Sequence, residues 1–289
     1  MQCMVKTTTN GDVVLAYETF GVEGTPILLL TGAAAQMVMW PAAFCEALAG
    51  KGFHVVRMDN RGTGLSQDPT TTQFTLDDIA DDVTAVCDAL GWPKAYLFGM
   101  SEGGIFAQAT AVRRPERVLG LISLAATPVF RPWISGPNLK VAWTVYRVMS
   151  RGATNRDELG QLWADVYKIA GSHPVDEELW KEVGRQHFDH GLHPEGDKRL
   201  FKAVLKAGDR RKELRGLRLP ALVLHGEADP LTLPKAGRET AKVIPGAKLV
   251  TFPGMGHDLP PQLWPRIIDE VSTFVRDVAA VTGRDRPIT

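Results

Sequence analysis

The sequence predicts an α/β fold: a mostly parallel sheet covered by helices on both faces and interrupted once by a helical insertion. Three observations carry this reading. Short apolar runs bounded by glycine and proline alternate with segments of helical periodicity, the pattern of strands joined by crossover helices. The interval 128–216 breaks that alternation, offering helical patterns but no convincing strand. A length of 289 residues suits one large domain carrying such an insertion.

Residues 13–19 give the first strand signal and belong to a hairpin that adds antiparallel strands at one edge. Ile27-Leu28-Leu29-Leu30 is an apolar strand, followed by the small-residue loop Thr31-Gly32-Ala33-Ala34-Ala35. A helix over 41–49 leads to a strand at 54–58, and a helix over 76–90 leads to the buried run Ala95-Tyr96-Leu97-Phe98. Ile105, Phe106, Ala109 and Val112 then recur at helical spacing and stop before Pro115. A strand follows at 118–124. Beyond the insertion, strands at 221–225 and 248–252 alternate with helices at 235–243 and 265–278. The expected organisation is a core of residues 1–127 and 217–289, with a helical lid at 128–216 over the carboxyl edge of the sheet, where open α/β folds bind ligands.

Composition narrows the function. Basic and acidic residues balance at 33 each, with no basic run, so nucleic acid has no electrostatic footprint here. The first residues lack the apolar core of a signal peptide, and no run approaches the roughly 20 apolar residues of a membrane span. The expectation is a soluble, cytoplasmic protein with a small-molecule partner and no membrane; the sequence leaves association into an oligomer open. Cys3, Cys45 and Cys87 are too few for a disulfide framework, and Cys45 and Cys87 fall within apolar helical patterns as packing residues.

The chemistry concentrates at Gly99-Met100-Ser101-Glu102-Gly103, a G-x-S-x-G between a strand and a helix. Ser101 sits on a sharp corner, with glycines leaving room for the turn and for a substrate. A serine needs a base, and the base needs an orienting acid. The strand at 221–225 breaks at Gly226 and presents Asp229 in the next loop; the strand at 248–252 leads into Pro253-Gly254-Met255-Gly256-His257. Glu227 and Asp258 are the competing acids. The oxyanion of an acyl transfer would be bound by the backbone N–H of Glu102 and by a second N–H from the loop after Leu30, at Ala33 with Ala34 as the alternative.

The order Ser101, Asp229, His257, together with Asp59-Asn60-Arg61-Gly62-Thr63-Gly64-Leu65-Ser66, resembles the serine-nucleophile α/β-hydrolases, whose loop after the fourth strand reads D-x-R-G-x-G-x-S. The resemblance covers nearly the whole chain and implies a mostly parallel eight-stranded sheet with an inserted helical lid. Many relatives place His-Gly where this chain has Thr31-Gly32. Within the family, the segments from Gly32 to Trp40-Pro41, around Asp59 and at Ser101-Glu102-Gly103-Gly104 look most like the aclacinomycin methylesterase group. That implies a carboxylic ester of a small apolar or aromatic molecule, cleaved with water and without a cofactor. The same triad serves thioesterases, amidases, carbon-carbon bond hydrolases and perhydrolases, and the fold can also serve as a small-molecule receptor.

Several neighbouring signals read as structure. Asp59 and Arg61 form a charged pair that fixes a glycine-rich turn, and the Glu102 carboxylate is expected to be buried and satisfied by a neighbouring donor. His187, His190 and His193 could hold a metal if they converged, but Gly191 and Pro194 interrupt the helix, so the run reads as a polar lid junction with no metal. The insertion is aromatic, with Trp133, Trp143, Tyr146, Trp163, Tyr167, Trp180 and Phe188 mainly packing its helices. Met37, Met39, Trp40 and Met100 flank the oxyanion loop and the serine, as core or as adaptable pocket wall. The candidate substrate-pocket residues are Ala34, Met37, Met100, Trp133 and Leu231.

Overall fold

The computed structural model describes residues 4–67, 73–131 and 137–282. Among these, eight strands form one sheet in the order β1 (Lys6–Asn10), β2 (Val13–Phe20), β4 (Phe53–Met58), β3 (Thr25–Leu30), β5 (Ala95–Met100), β6 (Val118–Leu124), β7 (Ala221–Gly226), β8 (Lys248–Phe252). The β1/β2 and β2/β4 pairs are antiparallel and every later pair is parallel. β1 is the polar run Lys-Thr-Thr-Thr-Asn with an exposed face, so it shows no apolar alternation and only its partner strand was visible in the sequence.

The central strands are apolar on both sides because both faces are covered. Leu28 and Leu30 of β3 point into one core cluster, while Ile27 and Leu29 point into the other. The first cluster is completed by α2 (Leu76–Ala89) and α3 (Glu102–Arg113), the second by α1 (Ala42–Ala49) and α10 (Trp264–Thr282). Cys45 and Cys87 are buried in these clusters, and burial pushes the Cys87 thiol up to about 12, which leaves it inert. Cys3 lies outside the described residues.

Among the described residues, five helices occupy the chain between β6 and β7: α4 (Leu139–Met149), α5 (Arg156–Ala170), α6 (Glu177–Asp189), α7 (Pro194–Ala207) and α8 (Arg211–Arg215). The first three begin where the sequence places an oxygen-bearing cap: Asn138, Asn155 and Asp176 each accept a backbone N–H of the first turn. The segment has a small core of its own, in which the Tyr167 ring stacks on Trp180 at 3.6 Å and on Trp163 at 5.9 Å. Helix α9 (Pro234–Val243) links β7 to β8. No helix among the described residues is long and apolar enough to cross a membrane.

Candidate active site

Ser101 is held at the junction of β5 and α3 with φ 57° and ψ −121°, a conformation that L side chains rarely adopt. The backbone around it leaves no alternative. A Cβ at Gly99 would fall 2.1 Å from the Gly103 carbonyl oxygen, and one at Gly103 would fall 2.2 Å from that of Leu30. The Ser101 amide donates to Leu124 O at 2.9 Å, tying the corner to β6.

His257 approaches from the loop after β8 and Asp229 from the loop after β7. The Ser101 hydroxyl donates to His257 Nε2 at 3.0 Å, and His257 Nδ1–H donates to Asp229 Oδ2 at 2.7 Å. Asp229 is buried, and its other oxygen accepts the amides of Leu231 and Thr232 at 2.9 and 2.8 Å, so the carboxylate has one free direction left. Burial pulls the His257 imidazole down, but the charge and hydrogen bond of Asp229 outweigh it and hold the ring above its ordinary value. The competing acids are engaged elsewhere: Asp258 accepts from the amide and hydroxyl of Ser172, and Glu227 accepts from the Thr251 hydroxyl. The base loop is also tied to the inserted helices, since the His257 amide donates to Ala170 O at 2.7 Å.

Above Ser101, the loop after β3 passes so close that a Cβ on Gly32 would lie 3.0 Å from Ser101 Cβ. Among the described residues, the amides of Ala33 and Glu102 have no acceptor in a loop, cap or side chain. The serine and histidine open into a cavity of about 350 Å³, walled on the sheet side by Ala34, Met100, Ala125 and Leu231 and on the insertion side by α4, α5 and α7 through Val145, Met149, Trp163, Tyr167 and Phe201. The non-glycine residues with positive φ among the described residues are Ala34, Ser101 and Ala125, and all three line this cavity. Backbone strain is concentrated where the chemistry would be.

The alpha/beta hydrolase fold family matches residues 25–261 of the chain. The protein belongs to that family. A rhodomycin D methylesterase of Streptomyces peucetius is 28% identical over 273 residues, covering 87% of this chain and 91% of its own. A 2-hydroxymuconate semialdehyde hydrolase of Pseudomonas putida is 26% identical over 242 residues, 81% of each chain. Among solved structures, a thermophilic esterase from Thermogutta terrifontis superposes with a TM-score of 0.73 at 29% identity, covering 96% of this chain and 99% of that one. This chain is thus a hydrolase of the α/β fold, similar to esterases.

Other residues of this α/β-hydrolase depart from the sequence reading. Met37 does not line the cavity: it has no exposed surface, and its amide donates to Asp59 Oδ1. Trp133 lies outside the described residues. Asp59 and Arg61 both build structure, but not with each other. Asp59 accepts the amides of Met37 and Leu65 and meets His190 Nε2 at 2.8 Å, whereas Arg61 pairs with Asp82 through two bonds of 2.6 and 2.7 Å.

The Glu102 carboxyl is buried as expected, but Oε1 finds no donor. Burial, followed by the charge of Asp197, pushes this carboxyl up to about 8, so at neutral pH it is an uncharged acid. Of the three spaced histidines, His187 meets the Gln36 amide and is pushed down to about 3 by burial, while His190 reaches Asp59. These two join the inserted helices to the core, the polar junction their spacing suggested. Met39 and Trp40, left between core and pocket, reach the cavity, as do Ala125 and Ala126, which no sequence signal marked, and Ile105, read only as part of a helical pattern.

Proposed function

We propose that the protein is a carboxylic ester hydrolase acting through an acyl-enzyme on Ser101, with a small apolar or aromatic ester as substrate. The observation that carries this reading is the continuous chain from Ser101 Oγ through both nitrogens of His257 to Asp229, at 3.0 and 2.7 Å, opening into a largely apolar cavity. As Ser101 attacks the carbonyl carbon, His257 Nε2 takes the hydroxyl proton, and Asp229 holds the ring and balances the imidazolium. The amides of Ala33 and Glu102 receive the developing oxyanion; one such donor is typically worth about 3 kcal/mol of barrier. His257 then returns the proton to the leaving alcohol. Water follows, gives its proton to Nε2, attacks the acyl carbon, and Ser101 leaves with the proton back on its oxygen.

In this reading the inserted helices, residues 128–216, act as the lid of the site, and the protein works in the cytoplasm, in keeping with its sparse, buried cysteines. The relatives' names agree with an ester bond: methylesterase in one, esterase in another. The 2-hydroxymuconate semialdehyde hydrolase supports a second reading, cleavage of a carbon-carbon bond beside a carbonyl by the same three groups.

The test is Ser101→Ala on a short p-nitrophenyl ester, where turnover falls by 10⁴-fold or more, on the order seen when a triad member is removed, while the melting temperature holds. Turnover that survives the substitution overturns the assignment. Stoichiometric fluorophosphonate labelling of Ser101 without multiple turnovers on any ester of a panel graded in acyl length and aromatic bulk would point instead to a receptor.

A further inference from the structure

The loop that carries Asp229 leans on a second histidine. His225 stands in β7 four residues before the acid, with no exposed surface. Burial lowers its basicity more than the charge of Asp229 and the bond to Thr232 raise it, so the ring is neutral and carries one proton. Nε2 lies 2.7 Å from the Thr232 carbonyl oxygen, which can only accept, and this assigns the proton to Nε2. The same nitrogen is 3.7 Å from Asp229 Oδ2, the oxygen that accepts the hydrogen bond of His257 Nδ1–H.

The other ring nitrogen, Nδ1, is buried without a partner. An apolar ring of similar size would remove the unpartnered Nδ1 but also the donor to the Thr232 carbonyl, so packing alone does not explain the residue. Helix α9 is shaped around it: a Cβ on Gly237 would fall 2.4 Å from Nδ1. The bonds then close a circuit. His225 Nε2–H holds the Thr232 carbonyl, the Thr232 amide holds Asp229 Oδ1, and Oδ2 is left facing His257.

We infer that His225 is a positioning residue, acting through the 229–232 turn to keep Asp229 Oδ2 on the Nδ1–H of His257. The inference rests on the triad reading given above. The charged and titratable groups that face His257 are Asp229, Asp258 and His225 itself, and Arg238 of α9 faces His225.

The test uses the full chain with three variants. His225→Phe keeps a ring and removes the donor, His225→Gln keeps a side-chain N–H, and Gly237→Ala crowds the ring from α9. Each is read by kcat and KM on p-nitrophenyl butyrate per fluorophosphonate-titrated site, and by the pH midpoint of the low-field proton resonance of His257 Nδ1–H. In His225→Phe, kcat per titrated site is expected to fall about ten- to a hundred-fold, the scale of a misplaced catalytic group. KM should stay within about two-fold, and the His257 midpoint should move down towards that of an ordinary histidine of about 6.5. His225→Gln is expected to recover most of both, and Gly237→Ala to move both in the direction of Phe by less.

An unchanged midpoint and kcat in His225→Phe overturn the inference, as does a loss in Gln equal to that in Phe. Should Phe fail to fold, an unchanged midpoint in Gly237→Ala overturns it. The midpoint is read without turnover, so a wild-type protein inactive on every ester would sink the esterase reading while leaving this one to be judged by the resonance.

Discussion

Two regions border the same cavity and are built in opposite ways. Around Ser101, backbone packs on backbone: Gly99 against Gly103, Gly103 against Leu30, and Gly32 across the serine Cβ, with no space for a single added carbon at Gly99 or Gly103. Helix α4 forms part of the far wall through Val145 and Met149, yet it turns Leu139, Trp143 and Tyr146 outward, the two aromatic rings 61% and 62% exposed. The contrast separates two tasks. Attack on a carbonyl tolerates little displacement, so the turn is over-determined; accommodating a substrate calls for a wall that can yield, and a helix with few buried contacts supplies it.

The sharpest way to probe the rigid side is its electrostatics. Asp229→Asn is expected to lower kcat by about 10⁴-fold by disfavouring the required His257 tautomer. In the proposed mechanism His257 is active when neutral, so the acidic limb of kcat/KM should lie above the ordinary histidine value in the wild type, because Asp229 raises that ring, and should move to lower pH in the variant. An acidic limb that stays put in Asp229→Asn would assign the raised basicity to another group.

Next in size is Gly103→Ala. Its methyl would fall 2.2 Å from the Leu30 carbonyl oxygen, and urea unfolding should show a loss of about 3 kcal/mol, at the upper end for overpacking. An effect smaller per pH unit separates stability from chemistry at the same turn. The Glu102 carboxyl binds its proton more tightly in the folded protein than in the unfolded chain, where it titrates near 4.5. Between that value and about 8, the folded state holds a proton the unfolded state has released, so stability falls as pH rises through this window. In Glu102→Gln the stability–pH curve should be flatter there by about 1 kcal/mol per pH unit; an identical slope would mean the carboxyl is ionised in the folded protein.

The smallest effect belongs to the yielding side. Trp143→Ala removes a ring from an exposed stack with Tyr146 and should change unfolding free energy by less than about 0.5 kcal/mol. KM should move more than kcat across a panel of esters of graded bulk. A kcat loss as large as that of Asp229→Asn would mean that α4 helps to position the reacting groups and would erase the contrast between the regions.

Much of this was legible in the chain. The apolar runs at Ile27–Leu30 and Ala95–Phe98, the glycines at 99 and 103 and the order Ser101, Asp229, His257 specify strands, a corner and a set of groups, because strand burial and tight turns are local demands on residue type. Other features required the folded chain. Nothing local distinguishes Met37, which is sealed against Asp59, from Met39 and Met100, which face the cavity, nor separates Asp59 from Arg61, two positions apart in the loop but bonded to different elements.

Sequence alone determined the class of fold and singled out the groups proposed to react, since periodicity and turn chemistry depend on neighbours a few residues away. Tertiary structure decided which partner each polar group meets: it left Glu102 Oε1 without one, set the Thr232 carbonyl as acceptor for His225 Nε2–H, and formed the cavity wall from helices separated from the serine by dozens of residues. Hydrogen bonds and burial depend on distances that only packing sets, and no pattern along the chain encodes them directly.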